Sequence, residues 1–294
     1  MSLNAETCGF IWDAYREDLR DGDVTTDLSI DKKAWVKADL VAKDDGVLSG
    51  QQVVTFLLSK VEGSITYKKY KEDGTSFKAG EILGSIEGPA WAILQAERTL
   101  LNFLQNLCGV ASLTKEYLIA VSGYDVDILH TRKTMPLWRL LQSEAVAHGG
   151  GSAHRQGLYD QILIKENHLY AIMKSLEVSL PKAIEIAVQK CQKSPKLGQH
   201  VGLEVQNEEQ AILAKGLGVH VILLDNMDVK KMISVVQNVL KSKNRPLIEA
   251  SGGVTLKNVR EIAMTGVDRI SIGALTHSVP ATDISLLIQD FFNR

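Results

Sequence analysis

The chain has 294 residues, enough for one large domain or two smaller ones. Its 33 basic and 35 acidic residues nearly cancel, so no overall positive field would attract nucleic acid or an anionic membrane. No apolar run reaches the length of a membrane span, and no signal peptide is visible at the N-terminus. The cysteines Cys8, Cys108 and Cys191 are odd in number and widely spaced, which indicates free thiols in a reducing cytoplasm and argues against a zinc site.

The first part of the chain predicts a small α/β domain. Residues 6–18 have the spacing of an amphipathic helix, and the acidic segment 21–27 is interpreted as a structured turn, because it lacks the length and alternation of a calcium-binding loop. Strand-like segments separated by glycines occupy residues 34–87, with a helix expected at 51–60. A long apolar helix is expected at about 89–108.

This long helix carries one polar stripe. Gln95, Arg98, Asn102 and Gln105 are spaced by three, four and three residues, which places them on one face. The face either meets water or directs Arg98 into a binding site or an interface, and periodicity alone leaves both open.

From residue 124 onward, apolar strand-like segments alternate with helices. The predicted strands are 126–129, 161–164, 200–205, 219–224, 247–250 and 269–272. The predicted helices are 135–147, 178–191, 208–216, 229–242 and 256–264. Such alternation predicts a parallel sheet, and six or more units of this size favour a closed barrel over an open sheet.

Basic side chains gather between residues 128 and 168. They follow predicted strand ends or the glycine run at 149–151, and they are Arg132, Lys133, His154, Arg155 and Lys165. Most Lys and Arg are solvated surface charges, but these lie against strand ends and glycines instead of along a helix face. The cluster therefore predicts a site for a polyanionic ligand.

Other strand ends of the predicted barrel add carboxylates and glycines. Glu204 and Asp225 end neighbouring strands and have apolar neighbours, so they are candidates for Mg²⁺–phosphate chemistry or, as the minority interpretation, for structural bonds. The last two predicted strands end in residues typical of a phosphate-binding site made of backbone N–H groups. Ser251, Gly252 and Gly253 follow the strand at 247–250, and Gly273 follows the strand at 269–272.

Several motifs, in order and over almost the whole chain, resemble the quinolinate phosphoribosyltransferases. They are DGDVTT, AERTLLNFLQNLCGVAS, TRKT, GGGSAHRQGLYDQILIKENH, LEVQN, LLDNM, EASGGVTLKNVREIA and ISIGALTHSVPATDISL. The resemblance implies the Mg²⁺-dependent reaction of quinolinate with phosphoribosyl pyrophosphate, which gives nicotinate mononucleotide, pyrophosphate and CO₂ in NAD biosynthesis.

The same resemblance implies the architecture. It predicts an N-terminal α/β sandwich domain at 1–115, joined by the C-terminal segment 276–294, and an incomplete, TIM-like α/β barrel at 116–275. It also implies a homodimer whose active sites lie at the subunit interface.

Roles for individual residues also follow from the resemblance. Arg132, His154, Arg155 and Lys165 would hold the dicarboxylate, together with Arg98 supplied by the partner subunit. Lys133 and Lys165 would reach phosphoribosyl pyrophosphate, and Glu204 and Asp225 its ribose hydroxyls or the metal; these four are the expected catalytic residues. The 5-phosphate would be bound by Ser251, Gly252, Gly253 and Gly273.

The sequence departs from the family pattern at a few positions. His130 stands where Asp commonly precedes TRKT, Gly202 where an acidic residue is frequent, and Leu137-Trp138 where Gly-Leu is more usual. None of these residues carries a predicted role.

Two other functions remain open. A related phosphoribosyltransferase acting on another acidic base is the nearest, although a monocarboxylate would not need Arg98, Arg132, Arg155 and Lys165 together. A non-catalytic phosphosugar-binding barrel would not need the carboxylate pair Glu204 and Asp225.

Overall fold

A computed structural model describes residues 3–193, 200–240 and 245–293. The chain divides into two compact units. The first unit comprises Met1–Lys115, Thr134–Gly150 and Leu275–Arg294, and the second unit comprises Glu116–Lys133 and Gly151–Ala274. The predicted domain boundaries stay a prediction; the compact units differ from them at residues 134–150, which belong to the first unit.

The secondary structure begins with helices and antiparallel strands and continues as alternating strands and helices. The helices are α1 (Ala5–Leu19), α2 (Val24–Ser29), α3 (Gln51–Val61), α4 (Ala90–Ala120), α5 (Arg139–His148), α6 (Glu166–Leu176), α7 (Leu180–Gln192), α8 (Glu208–Gly216), α9 (Val229–Leu240), α10 (Val259–Met264) and α11 (Ala274–His277). The strands are β1 (Ala34–Ala42), β2 (Gly46–Val47), β3 (Thr66–Lys69), β4 (Ser76–Phe77), β5 (Ile82–Pro89), β6 (Asp127–Leu129), β7 (Ile162–Ile164), β8 (Val201–Val205), β9 (Val221–Asp225), β10 (Leu247–Ser251), β11 (Arg269–Ser271) and β12 (Ile284–Asn293).

A four-stranded antiparallel sheet forms the centre of the first unit, with the order β12-β1-β5-β3. Alternate residues of β1, such as Val36, Ala38 and Leu40, are buried, as expected for a strand that packs one face on a core. The last described segment of the chain, β12, pairs along nearly the whole of β1. The C-terminal segment is therefore part of the first unit's sheet.

Three predictions about local structure in the first unit were wrong. Residues 24–29 form the short helix α2 instead of a turn, because the Asp23 side chain accepts a hydrogen bond from Thr26 N at 3.0 Å and caps the helix. The short strand β4 was missed. Helix α4 continues to Ala120, past Cys108. It passes Gly109, where a Cβ would lie 3.2 Å from the carbonyl carbon of Pro280, so this glycine allows close packing and does not end the helix.

Helix α5 was predicted as part of the barrel and starts later than expected, at Arg139. Leu137 has φ +68°, a left-handed conformation that a helix cannot contain. The fully buried Gln142 ties α5 to the first unit, because its amide donates to the carbonyl of Thr276 at 3.2 Å and to Asn106 Oδ1 at 3.4 Å. Trp138 stacks on Phe103 of α4 with ring centroids 4.4 Å apart.

The second unit is built on a six-stranded parallel sheet with the order β6-β11-β10-β9-β8-β7. The predicted strands are all present, with ends within two residues of the predicted ones. In the part of the chain that the structure describes, the two outer strands β6 and β7 do not pair with each other. The sheet is therefore an incomplete barrel, which confirms the fold that the family resemblance implied. The closed barrel favoured by the count of repeating units alone is not observed in that described part.

One helix of the second unit was not predicted, and one predicted helix includes residues outside the described ranges. Helix α6 was missed; its apolar residues follow Lys165, whose segment was interpreted only as part of the basic cluster. The predicted helix at 229–242 is observed as Val229–Leu240, and its last two residues lie outside the described part. Across the described ranges, no helix has both the length and the apolar character needed to cross a membrane.

Candidate active site

The carboxyl ends of the parallel strands bring most of the predicted site residues to one edge of the second unit. Ser251 of β10 is in register with Asp225 of β9 and with Ser271 of β11, which is itself in register with Leu129 of β6. The chain continues from Leu129 to Arg132 and Lys133, and from Ser271 to Gly273. These residues therefore lie at the same rim, where active sites of α/β barrels are found.

The interior of the incomplete barrel identifies which side chains face inward. A cavity of about 30 Å³ is lined by Gly202, Leu223 and Glu249, among others. Side chains alternate along a strand, so the residues two positions further on share their face. Those residues are Glu204 on β8, Asp225 on β9 and Ser251 on β10. The sheet thus directs both predicted carboxylates and the start of the glycine turn toward the interior side of the rim.

Lys165 and Glu204 form an ion pair across the ends of β7 and β8. The Glu204 side chain is 11% exposed and that of Lys165 is 44% exposed, so the carboxylate is the more enclosed partner. Pairing satisfies both charges when no ligand is present. A ligand with phosphate or hydroxyl groups could exchange for either side of this pair.

The turn after β9 packs against the turn after β10. Asn226 adopts φ +50°, donates its backbone N–H to the carbonyl of Ser251 at 2.9 Å, and donates its side-chain amide to Asp225 Oδ2 at 3.1 Å. Gly252 and Gly253 have φ of +90° and +62°, a region that glycine adopts without strain. The Asn226 side chain lies directly beside Gly252, so the two turns support each other.

Arg155 is almost completely buried, with 6% of its surface exposed. Its guanidinium donates to the carbonyl of Gln161 at 3.1 Å. Burial lowers the pKa of Arg155, and so does the repulsion of the nearby Arg132 guanidinium. Two guanidinium groups whose charges act on each other are suited to a ligand with more than one negative charge.

Glu249 is a residue of this site that sequence analysis missed. It is 1% exposed, and its Oε1 atom lies 3.2 Å from His154 Nε2 and accepts a hydrogen bond from the Ser271 hydroxyl. Burial acts to raise the pKa of Glu249, but the hydrogen bonds from His154 and Ser271 and the charge of Arg269 outweigh it and hold that pKa below its usual range. A carboxylate inside the apolar strand Leu247–Ser251 was the signal that could have identified it.

Models of one protein family match nearly the whole chain. The model of the quinolinate phosphoribosyl transferase N-terminal domain matches residues 23–108, and that of its C-terminal domain matches residues 110–287. The chain belongs to the quinolinate phosphoribosyltransferase family.

Relatives of known name cover similar lengths. A protein of Bacillus subtilis named probable nicotinate-nucleotide pyrophosphorylase (carboxylating) is 35% identical over 278 residues, which are 92% of this chain and 90% of the relative. The nicotinate-nucleotide pyrophosphorylase (carboxylating) of Mycobacterium leprae is 37% identical over 276 residues, 93% of this chain and 94% of the relative. The solved structure of the nicotinate-nucleotide pyrophosphorylase from Francisella tularensis superimposes with a TM-score of 0.88 at 31% identity, covering 98% of each chain.

The departures from the quinolinate phosphoribosyltransferase pattern have structural explanations. His130 is fully buried, and its Nδ1–H donates to the carbonyl of Thr131 at 2.9 Å, so it stabilises the turn that leads to Arg132. At Gly202 a Cβ would meet Leu163 Cδ1 at 3.2 Å, so Leu163 occupies space that a larger residue would need. Trp138 fills its position by stacking on Phe103.

Arg98 is the one predicted site residue outside the second unit. It is exposed in the middle of the polar stripe of α4, beside the exposed Asn102. The ends of the stripe have partners within the first unit: Gln95 accepts from the Tyr15 hydroxyl at 3.3 Å, and Gln105 donates to the carbonyl of Ile284 at 2.9 Å. The stripe is thus structural at its ends and free for a ligand or partner at its centre.

Proposed function

We propose that this chain transfers the phosphoribosyl group of phosphoribosyl pyrophosphate to quinolinate, with release of CO₂ and pyrophosphate, and so forms nicotinate mononucleotide for NAD biosynthesis. Membership of the quinolinate phosphoribosyltransferase family over residues 23–108 and 110–287 supports this reaction. The observation that carries it at the level of the site is the rim of the second unit. There Asp225 and Ser251 lie in register at adjacent strand ends, and Lys165 pairs with Glu204.

The dicarboxylate would be bound by the basic cluster. Quinolinate carries adjacent carboxylates, and Arg132 and Arg155 offer forked, permanently charged donors for them. Burial lowers the pKa of Arg155, and the repulsion between the two guanidinium groups lowers it further. A bound dianion would replace this repulsion by attraction. His154 and Lys165 complete the predicted dicarboxylate-binding set.

Phosphoribosyl pyrophosphate would lie along the other side of the rim. Backbone N–H groups of Ser251, Gly252, Gly253 and Gly273 would bind its 5-phosphate, as in other glycine turns at the ends of strands. Lys133 and Lys165 would bind its pyrophosphate, and Glu204 and Asp225 its ribose hydroxyls.

The reaction needs no nucleophile from the protein. The quinolinate ring nitrogen attacks C1 of the ribose while the bond to pyrophosphate breaks, so positive charge develops on the sugar and negative charge on the leaving group. Glu204 and Asp225 would stabilise the first charge, and Lys133 and Lys165 the second. The alkylated ring nitrogen is cationic and stabilises the electron pair that stays on the adjacent ring carbon when the carboxylate departs as CO₂. That ring carbon then takes up a proton from water.

Magnesium is the cofactor that this chemistry implies. Within the described ranges, no three or more His, Cys, Asp or Glu side chains gather as a metal site. The carboxylates of Glu204 and Asp225 fit an ion that takes one or two ligands from the protein and the others from substrate phosphates and water. Such an ion would neutralise charge on the pyrophosphate.

The decisive assay supplies purified protein with quinolinate, phosphoribosyl pyrophosphate and Mg²⁺. We expect nicotinate mononucleotide, CO₂ and pyrophosphate in equal amounts. Nicotinate at the same concentration should not be consumed, because a monocarboxylate leaves part of the cationic site unpaired. Comparable rates with nicotinate would support the related transferase instead, and binding of phosphoribosyl pyrophosphate without turnover would support a non-catalytic barrel.

We also propose that the active site is shared between the subunits of a homodimer, with Arg98 supplied by the partner. The exposed Arg98 on α4 makes no hydrogen bond or ion pair with another described residue, which supports a role toward a second molecule. In a symmetric dimer the same surface closes each partner's site once. A cytoplasmic location, where the free cysteines stay reduced, completes the proposal.

Subunit mixing tests the shared site. A mixed dimer of Arg98→Ala and Lys133→Ala chains contains one site with both defects and one with neither, so up to about half of the wild-type activity per mixed dimer should return. Mixing Lys133→Ala with Arg155→Ala is the matched control. Both defects lie in the second unit, so every mixed site keeps one of them and activity should stay absent. Equal results from the two mixtures, with subunit exchange confirmed, would contradict a contribution of Arg98 in trans.

A further inference from the structure

The half-buried ring of His154 forms hydrogen bonds with two other residues. Its Nδ1 accepts the backbone N–H of Arg155 at 2.8 Å, so the lone pair of Nδ1 is occupied and the proton of the neutral ring lies on Nε2. Nε2 in turn lies 3.2 Å from Glu249 Oε1, to which it donates. Both ring nitrogens therefore have partners within the protein.

These contacts form a chain from strand β10 to Arg155. Glu249 is held on the central strand β10, where its Oε1 also accepts from the Ser271 hydroxyl of β11. His154, held by Glu249 through Nε2, accepts the backbone N–H of Arg155 through Nδ1 and so restrains the backbone there. The Arg155 side chain is then fixed at its other end by the carbonyl of Gln161, 3.1 Å from its guanidinium. Arg155 thus has a defined direction although it follows a glycine-rich loop.

We propose that Glu249 is a positioning residue: it holds His154 in the Nε2–H form and thereby aims the Arg155 guanidinium at the substrate carboxylate, without contacting substrate itself. The proposal rests on the proposed function for the identity of that substrate. It assigns to His154 an orienting role through Arg155, in addition to any contact that His154 makes with the dicarboxylate.

Position and charge at residue 249 can be separated by two conservative variants. Both hydrogen bonds from His154 and Ser271 end on the same oxygen, Oε1. Glu249→Gln keeps a carbonyl oxygen at that place and removes the charge. Glu249→Asp keeps the charge and withdraws the oxygen by one methylene. If Glu249 acts by position, the Asp variant is the more damaging; if it acts only as a buried counter-charge for the arginines, the Gln variant is.

Steady-state kinetics give the first readout. For Glu249→Asp we expect kcat/KM for quinolinate to fall on the order of 100-fold, because a misdirected Arg155 guanidinium no longer holds the quinolinate ring nitrogen in position to attack the ribose. KM for phosphoribosyl pyrophosphate should change much less, and Glu249→Gln should cause a smaller loss of kcat/KM for quinolinate than Glu249→Asp. Ser271→Ala, which removes the other bond to Oε1 and leaves His154 in place, should cause a smaller loss than Glu249→Asp. The reverse order of the Gln and Asp variants, or an equal rise in both KM values, would overturn the proposal.

The second readout needs no substrate. Nitrogen-15 spectra of the histidine rings report which nitrogen carries the proton, with His154 assigned by its loss in His154→Asn. We expect the Nε2–H form in the wild type and in Glu249→Gln, and a mixture in Glu249→Asp. An Nδ1–H or doubly protonated ring in the wild type at neutral pH would refute the inference. If quinolinate is not turned over but the ring has the expected form, the proposed function fails and the hydrogen-bond chain stands.

Discussion

The contact between the turns after β9 and β10 makes a quantitative prediction about the glycine pair. Gly252 and Gly253 both have left-handed φ, +90° and +62°. A Cβ at Gly252 would lie 2.6 Å from Asn226 Cγ, whereas a Cβ at Gly253 would have no atom of the other described residues within 4 Å, its two chain neighbours apart. Gly252→Ala and Gly253→Ala therefore form a matched pair: both introduce backbone strain, and only the first also displaces Asn226.

The magnitudes follow from these two contributions. A left-handed conformation costs a non-glycine residue roughly 1–2 kcal/mol, and this applies to both variants. In Gly252→Ala the Asn226 amide must also leave its place, which costs its hydrogen bond to Asp225, about 1 kcal/mol. We therefore expect the free energy of unfolding to fall by about 1 kcal/mol more in Gly252→Ala than in Gly253→Ala.

Urea unfolding of both variants, alone and combined with Asn226→Gly, measures the difference. Asn226→Gly removes the displaced amide, so Gly252→Ala should cost about 1 kcal/mol less in that background, and Gly253→Ala should cost the same in both backgrounds. In kinetics, Gly252→Ala should raise KM for phosphoribosyl pyrophosphate about tenfold if its binding loses about 1.4 kcal/mol, with KM for quinolinate little changed. Equal stability losses for the two alanine variants, or strict additivity with Asn226→Gly, would refute the reasoning.

Three further predictions concern single side chains. Glu204→Gln removes the partner of Lys165 and the charge proposed to stabilise the sugar, so kcat should fall about 100-fold with the fold retained in circular dichroism; activity within a few-fold of wild type would remove Glu204 from the reaction. Asp268 is bound by both terminal nitrogens of Arg245 at 2.7 Å; burial acts to raise the pKa of Asp268, but these bonds outweigh it, and the pKa is lowered in the folded state. Because the pKa of Asp268 is lower in the folded than in the unfolded state, this stabilisation is present above the unfolded pKa of about 4 and is lost as the pH falls toward the folded pKa. Asp268→Asn should lower the free energy of unfolding at pH 7 by about 2–3 kcal/mol and should flatten the pH dependence of that free energy below pH 4. An unchanged acid profile would contradict this. Leu137→Gly should be about 1 kcal/mol more stable than Leu137→Ala in thermal unfolding, because only glycine relieves the strain at φ +68°, and equal stability would place the strain elsewhere.

Local sequence patterns predicted the strands of the second unit well. Buried parallel strands are continuous apolar runs that stop at a polar residue, and Val221–Asp225 is such a run. Because parallel strands share a carboxyl end, the rim holding Glu204, Asp225 and Ser251 followed from the strand assignment alone. The family motifs then supplied roles that no periodicity contains.

Helix ends were predicted less well, because contacts distant in sequence decide them. Helix α4 continues through Gly109, where the chain near Pro280 packs too closely for a side chain. Helix α5 starts only after the left-handed Leu137. Local sequence alone favours ending the first helix near the glycine and starting the second at Met135, with Pro136 in its first turn. It contains no information about the residues that pack against these helix ends.

The sequence alone determined which residues share one face of a strand and which lie at strand ends, since both depend on spacing along one strand. Only the tertiary structure decided which of them meet: Lys165 and Glu204 are 39 positions apart, and His154 and Glu249 are 95 apart. The Glu249 carboxylate was overlooked for this reason. Within its strand it is an isolated charge among apolar residues, and its purpose depends on a histidine and a serine brought beside it by strand order and register. Those are properties of the assembled sheet, because hydrogen bonds between strands set the register and local periodicity does not.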